Sequence, residues 1–128
     1  MSGPSPSEID EVEFVRRWIG DLNRGILQFV VLLTVKTLAP CHGYRIAREI
    51  EDRFAGSIRV HGGTIYPLLN RLEKHGLLDS VTASDGGRVK TLYTLTQKGI
   101  RTYELMEDVW RPYVEAIQAS LLDAHMNE

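Results

Sequence analysis

One change of periodicity, within residues 62–95, constrains the fold of this chain more than any other feature. Residues 64–75 carry apolar side chains at the i, i+3, i+4, i+7 spacing of a helix that buries one face. Residues 77–82 and 89–95 instead resemble two strands, and the second places Val89, Thr91, Tyr93 and Leu95 on one face by alternation. Gly86-Gly87 between them supplies the positive φ angles that a hairpin tip requires. The sequence therefore predicts a helix followed directly by a β-hairpin.

Three helices are predicted before this unit. Ser7 is expected to cap an extension helix over residues 8–19, which Gly20 would stop. A second helix is predicted from Asn23 or Arg24 to Leu38, because apolar residues recur along it and a proline follows two residues later. A third is predicted over residues 43–54, with an apolar stripe and a charged outer face.

One long helix is predicted after the hairpin, capped by Thr96 and running from residue 97 to about residue 122. Pro112 lies inside it and cannot donate a backbone hydrogen bond to Asp108, so a kink is expected there. The apolar side chains of this helix recur at alternating three- and four-residue steps, the pattern by which helices pair. These are Tyr103, Met106, Trp110, Tyr113 and Ile117.

Composition places the chain among globular proteins. Its 128 residues are 43 % apolar and 25 % charged, which suits one domain with one core. The single cysteine, Cys41, excludes an intrachain disulfide. Neither a secretory signal nor an uninterrupted apolar run of about 20 residues is found, so a cytoplasmic chain with no membrane partner is expected.

Charge is distributed unevenly along the chain, although the net charge is only −2. Residues 41–101 contain ten Lys and Arg against six acidic residues, whereas the flanks contain five against eleven. A basic centre between acidic ends is compatible with a nucleic-acid-binding module.

The order helix, helix, glycine turn, helix, basic hairpin is that of a winged helix, a DNA-binding fold. Within it, GYRI at 43–46, GTIYPLLNRLEKHGLL at 63–78, GGR at 86–88 and YTLTQKG at 93–99 resemble the PadR family of transcriptional regulators. The expected fold is mainly α with a small β-hairpin: an N-terminal extension helix (1–22), a winged-helix DNA-binding domain (23–96) and a C-terminal dimerisation helix (97–128).

The resemblance implies a homodimeric repressor that binds a palindromic operator in double-stranded DNA and is released by a small planar aromatic effector. It also implies that Trp110 stacks on such a ligand. The competing interpretation of Trp110 is an aromatic residue that packs in the helix seam, and both roles can coexist. The predicted effector-binding residues are Tyr103, Met106, Trp110 and Tyr113.

The DNA-binding residues are predicted from the exposed side of the fourth helix, from the hairpin and from the start of the third helix. Arginine can bond guanine edges or phosphates, and hydroxyl and amide groups can fix the helix on the backbone. A solvated helix face and a merely soluble turn are the competing interpretations. The predicted set is Arg45, Thr64, Tyr66, Asn70, Arg71, Lys74, Arg88 and Lys90.

Other classes of function find little support in the sequence. The spacing of Cys41, His42, His61 and His75 matches no common zinc pattern, so no metal or other cofactor is expected. No nucleophile elbow, HExxH or P-loop motif occurs, so the chain is not expected to be an enzyme. The alternative to a DNA-binding regulator is a winged-helix module that binds another protein, which the acidic net charge allows.

Overall fold

A computed structural model describes residues 8–60 and 62–127 of the chain. Four helices and a three-stranded antiparallel sheet form the fold, which confirms the predicted winged helix with a long C-terminal helix. In chain order the elements are α1 (Glu11–Leu38), β1 (Cys41–His42), α2 (Gly43–Arg53), α3 (Gly62–Lys74), β2 (Leu78–Asp85), β3 (Arg88–Leu95) and α4 (Gln97–Met126).

The first helix differs from the prediction. The expected extension helix over 8–19 and the expected second helix from Asn23 are one continuous helix, α1, so the boundary placed at residue 22 falls inside it. Gly20 does not stop the helix, because a glycine within a helix costs only about 1 kcal/mol relative to alanine. The cap is Asp10, whose carboxylate accepts a hydrogen bond from the Glu13 backbone N–H at 2.8 Å. Ser7, the predicted cap, lies outside the described residues.

Ion pairs reinforce α1 on both sides of Gly20. Glu13 pairs with Arg17 at 3.3 Å, and Asp21 pairs with Arg24 one turn further on. Each pair contributes only a few tenths of a kcal/mol at the surface, but together they favour the helix where the glycine weakens it. The ion pairs and the apolar residues beyond them therefore outweigh the glycine.

The C-terminal half of α1 forms the centre of the core. Val31, Leu32 and Val35 are fully buried, and they pack with apolar residues of α2 and α3 such as Ile50 and Leu69. By length and composition α1 is also apolar enough to cross a membrane, although 39 % of its most apolar window is buried inside the fold. Burial of this half against α2 and α3 accounts for its apolar character.

The wing, which is the hairpin of β2 and β3, is longer than predicted. Its register runs from Leu78 opposite Leu95 to Asp85 opposite Arg88. Gly86 and Gly87 turn the tip with φ angles of 58° and 84°, as the glycine pair predicted.

A third strand, β1, was not predicted. It places Cys41 opposite Tyr93 and so attaches the start of α2 to the wing. Two residues are too few to show alternation in the sequence. Burial raises the pKa of the Cys41 thiol, while the nearby Arg45 guanidinium opposes this shift.

The last helix begins as predicted, with the Thr96 hydroxyl accepting a hydrogen bond from the Gly99 N–H at 2.9 Å. It continues through Pro112 and ends four residues beyond the predicted end. The helix predicted over residues 64–75 is α3, which begins two residues earlier than predicted and contains Pro67.

Candidate nucleic-acid interface and effector cleft

The outward side of α3 separates into a centre and two edges. Helical periodicity places Asn70 and Lys74 at the centre of the exposed face, one turn apart. Thr64 and Arg71 lie on the edge that borders α1, where they line a cleft with Arg24. Tyr66 lies on the opposite edge, toward the wing. All five of the predicted DNA-binding side chains on α3 are thus exposed, but they face three different directions.

The five cations of the predicted DNA-binding set share an electrostatic property. Within the part of the chain that the structure describes, none of them forms a salt bridge: Arg45, Arg71, Lys74, Arg88 and Lys90. All five are exposed. An unpaired surface cation can neutralise a phosphate without first breaking an ion pair, so these side chains are suited to a polyanion.

Six arginines elsewhere on the surface are paired. Arg53 bonds Glu49 at 3.1 Å along α2, and Arg111 bonds Glu107 at 2.8 Å along α4. Both pairs are i, i+4 neighbours, the spacing that brings opposite charges together on a helix. Arg59 and Arg101 are exposed and form no salt bridge within the described residues either, so unpaired cations are concentrated on α3 and the wing but are not confined to them.

A groove between the wing and the helices, hereafter the wing groove, brings part of the predicted set together. It has a volume of about 430 Å³, and its helical wall includes Tyr66 of α3 and Tyr44 of α2. Arg88 and Lys90 of β3 form the opposite wall. Hydroxyl groups therefore face cations across a groove open to solvent, an arrangement suited to one sugar–phosphate strand.

Tyr44 is the residue of this groove that sequence reasoning missed. It is 65 % exposed, and its ring stacks on His42 at 6.4 Å. The His42 side chain is fixed in turn, because its Nδ1 accepts a hydrogen bond from the Arg45 N–H at 3.2 Å and so caps α2. A large aromatic residue within α2 but outside its apolar stripe was the signal that could have identified it.

The wing is attached to α3 by a side-chain bond as well as by packing. The Ser80 hydroxyl on β2 donates to the Glu73 carboxylate on α3 at 2.5 Å. Together with the pairing of β1 and β3, this bond fixes the wing relative to both helices. The two walls of the wing groove therefore belong to one rigid unit.

A second attachment, hereafter the α3–α4 clamp, joins the end of α3 to the start of α4. The Thr96 hydroxyl donates to the Gly76 carbonyl at 2.6 Å, and the Lys98 ammonium donates to the His75 carbonyl at 2.8 Å. Gly99 lies so close to the chain that an added Cβ would fall 2.0 Å from the Leu77 carbonyl oxygen. The start of α4 is therefore attached directly to the end of α3.

The predicted effector residues do not form one group. Met106 and Trp110 line an apolar cleft of about 350 Å³ between α1 and α4, together with Ile26 and Phe29 of α1. The Phe29 and Trp110 rings lie 6.3 Å apart at 47°. This volume is at the lower end of the range found for small-molecule sites.

Tyr103 and Tyr113 lie outside this cleft. Tyr103 is buried in the chain's own core, where its ring stacks on Phe29 at 5.4 Å and the Lys36 ammonium lies 5.1 Å from its centroid. Tyr113 is 60 % exposed, further along α4. The four predicted residues do recur at helical spacing along α4, but α1 covers only the first part of the stripe that they form. Phe29, which touches both Tyr103 and Trp110, was missed because it lies on a different helix.

The N-terminal half of α1 and the C-terminal half of α4, hereafter the outer halves, extend beyond this contact and expose apolar side chains. Residues 115–126 of α4 are exposed without exception. The exposed apolar residues of α4 that recur every four positions are Val109, Tyr113, Ile117 and Leu121. Those on the outer half of α1 at helical spacing are Val15, Trp18, Ile19 and Leu22.

Within residues 8–60 and 62–127, no three His, Cys, Asp or Glu side chains come together as ligands. His61 of the considered set lies outside the described residues.

Taken together, a helix with an exposed polar face, a wing with unpaired cations and a rigid support define a winged-helix DNA-binding protein. The model of the transcriptional regulator PadR-like family matches residues 31–105, which is more than half of the chain. The chain therefore belongs to the PadR-like family of transcriptional regulators, as its motifs predicted. It is a DNA-binding regulator rather than an enzyme.

Known structures and sequences agree with this assignment. The crystal structure of a PadR family transcriptional regulator from Eggerthella lenta is 28 % identical, with a TM-score of 0.72 over 85 % of this chain and 93 % of that one. The structure of a transcriptional regulator from Clostridium thermocellum shares the fold at 24 % identity, with a TM-score of 0.67 over 77 % of this chain and 96 % of that one. An uncharacterized protein of Lysinibacillus sphaericus is 29 % identical over 99 residues, which cover 76 % of this chain and 89 % of the relative.

Proposed function

We propose that this regulator is a homodimeric repressor that acts in the cytoplasm, binds a palindromic operator and releases it when a planar aromatic compound enters the α1–α4 cleft. The observation that carries the proposal is the position of that cleft. It lies on the two helices whose outer halves expose apolar stripes, and one of those helices is clamped to the recognition helix.

The dimer follows from the exposed stripes. The outer half of α4 makes no buried contact in the described residues, and a helix of this length is marginal in water without packing. A second copy presents the same stripe, and two identical apolar faces related by a twofold axis bury each other. Ile117 and Leu121 are central to this contact.

The dimer in turn sets the geometry of DNA reading. Two copies of α3 related by a twofold axis can enter successive major grooves, about 34 Å apart, and read the two halves of a palindrome. Asn70 and Lys74 at the centre of the exposed face approach the base edges. Arg88 and Lys90 of the wing contact the flanking backbone.

The effector acts through the α3–α4 clamp. A flat aromatic ring between Phe29 and Trp110 would add stacking contacts to both helices, each worth about 0.5–1.5 kcal/mol beyond the area buried. If the ring changes the angle between α1 and α4, the clamp carries the change to α3. The affinity for the operator then falls by the factor by which the ligand binds the altered arrangement of α1 and α4 more tightly than the DNA-binding arrangement.

Tryptophan fluorescence tests the effector site, since Trp18 and Trp110 are the only tryptophans in the sequence. A panel of naphthalenes, quinolines and indoles is titrated, without DNA, into wild type, Trp18→Phe and Trp110→Phe. Quenching is expected in wild type and in Trp18→Phe, and its loss is expected in Trp110→Phe. Quenching that vanishes only in Trp18→Phe would move the site to the outer half of α1. Absence of quenching in all three would leave Trp110 as a packing residue.

Salt dependence tests the DNA contacts. The logarithm of the binding constant should fall with the logarithm of salt concentration by about 0.9 per phosphate neutralised. Arg88→Ala is expected to flatten this slope, by up to about 1.8 for the two copies in a dimer. Arg53→Ala is the matched control, because Arg53 is paired with Glu49 and should leave the slope unchanged. A flat slope in wild type would favour the protein-binding alternative.

A further inference from the structure

Gly43, the first residue of α2, lies directly beneath the ring of Tyr66. A Cβ added at Gly43 would fall 2.7 Å from Cε1, 3.1 Å from Cζ and 3.2 Å from the hydroxyl oxygen of Tyr66. Carbon atoms that are not bonded do not approach to 2.7 Å, so any other residue at position 43 displaces the tyrosine. The glycine is thus in contact with the recognition helix through one side chain.

Backbone conformation does not explain this glycine. Its φ angle lies outside the left-handed region, which Gly56, Gly76, Gly86 and Gly87 occupy. The first position of a helix accepts any residue that adopts ordinary helical angles. An alanine at position 43 would instead place its Cβ in the space that the Tyr66 ring occupies.

Tyr66, whose ring occupies this space beside Gly43, also lines the wing groove. Its side chain is 46 % exposed, and within the described residues its hydroxyl has no hydrogen-bond partner. Across the groove stand Arg88 and Lys90, which have no ion pair in the described part of the chain. A phosphate held by these cations would meet a phenol donor from the opposite wall.

We propose that Gly43 is a positioning residue for DNA binding, because the space it leaves lets the Tyr66 ring seat against α2 and aim its hydroxyl at a phosphate in the wing groove. The inference rests on the proposed contact between Tyr66 and DNA. Gly43 itself acts only through the tyrosine.

A double-mutant cycle tests the coupling, with a duplex that wild-type protein selects from random-sequence DNA as the probe. Gly43→Ala and Tyr66→Ala are each expected to weaken binding about tenfold per copy, the effect of losing one hydrogen bond to a charged group, and so about 100-fold for the two copies in a dimer. In the Tyr66→Ala background, Gly43→Ala should cause no further loss, since no ring remains to displace. Gly25→Ala is the matched control, because nothing lies within 4 Å of a Cβ added there.

The outcomes separate the inference from the contact on which it rests. If Tyr66→Ala binds as tightly as wild type, Tyr66 does not contact DNA and the inference falls with that contact. If Tyr66→Ala weakens binding but Gly43→Ala does not, or if Gly43→Ala costs the same in both backgrounds, Gly43 does not act through Tyr66 and the inference alone fails. Thermal unfolding by circular dichroism accompanies each variant. If Gly43→Ala unfolds, refolding in the double variant supports the steric contact, and failure to refold overturns it.

Discussion

The inner and outer halves of α1 and α4 contain similar apolar side chains but lie in opposite environments. In the inner halves, Leu32 and Tyr103 are buried by α2, α3 and the other long helix. In the outer halves, Trp18 and Ile117 are more than half exposed. The comparison teaches that helical spacing identifies the face of a helix that will be buried, whereas the partner that buries it must come from elsewhere. For the outer halves we expect that partner to be a second copy.

The largest effect is expected from placing a charge on the outer stripe. Ile117→Glu would bury an unpaired carboxylate from each copy at the proposed interface, at a cost of about 3–5 kcal/mol each. The dimer dissociation constant should rise by at least about 100-fold, measured by analytical ultracentrifugation, and operator affinity should fall with it. Leu122→Glu is the control, because Leu122 is also more than half exposed but lies on the opposite side of α4. Dimers in both variants would show that the stripe is not the interface.

A smaller effect is expected in the core. Leu32→Ala removes a fully buried side chain and should lower the free energy of unfolding by about 2–5 kcal/mol, measured by urea denaturation. Leu122→Ala changes the same residue type at 65 % exposure and should shift that free energy by less than about 0.5 kcal/mol. Equal costs would mean that Leu122 is also buried in the working protein.

The smallest effect is expected on the pH dependence of the free energy of unfolding, to which two tyrosines of α4 contribute differently. Burial raises the pKa of Tyr103, with the Glu107 carboxylate adding to the shift and Arg111 opposing it. The folded chain therefore keeps the phenol proton to higher pH than the unfolded chain does. The free energy of unfolding is then unaffected below the ordinary tyrosine pKa of about 10 and falls as pH rises above it.

Urea denaturation between about pH 9.5 and 11.5 checks this sign. Tyr103→Phe should make the decline with pH shallower than in wild type. Tyr113→Phe, in the exposed outer half, should leave the slope unchanged. A wild-type slope in Tyr103→Phe would show that Tyr103 titrates alike in both states.

Sequence patterns predicted most of the fold because each core element has a clear period and clear ends. The apolar steps of α3, the glycine pair of the wing and the Thr96 cap were all readable from local physics. β1 was not, because its two residues form a strand only by pairing with β3. The break predicted at Gly20 was wrong because its small local cost was weighed without the ion pairs that flank it.

The candidate site was less accessible to sequence reasoning. Residue type and helical periodicity predicted the DNA-facing side chains, but tertiary contacts decide which of them lie together. Tyr66 faces the wing, whereas Arg71 faces α1, although both belong to the same exposed side of α3. Phe29 became part of the α1–α4 cleft, the proposed effector site, only when α1 was placed against α4.

The α3–α4 clamp attaches the start of α4 to the recognition helix, so α4 is a long arm that is fixed at one end. Thirty residues at 1.5 Å per residue give this arm a length of about 45 Å. If α4 tilts by about 5°, its far end, where the proposed dimer contact lies, moves by about 4 Å. In the proposed dimer two such arms would meet, so the tilts of both arms would add between the two recognition helices. We therefore expect the packing of Ile117 and Leu121, far from the predicted DNA-binding residues, to set the distance between DNA half-sites that the protein accepts.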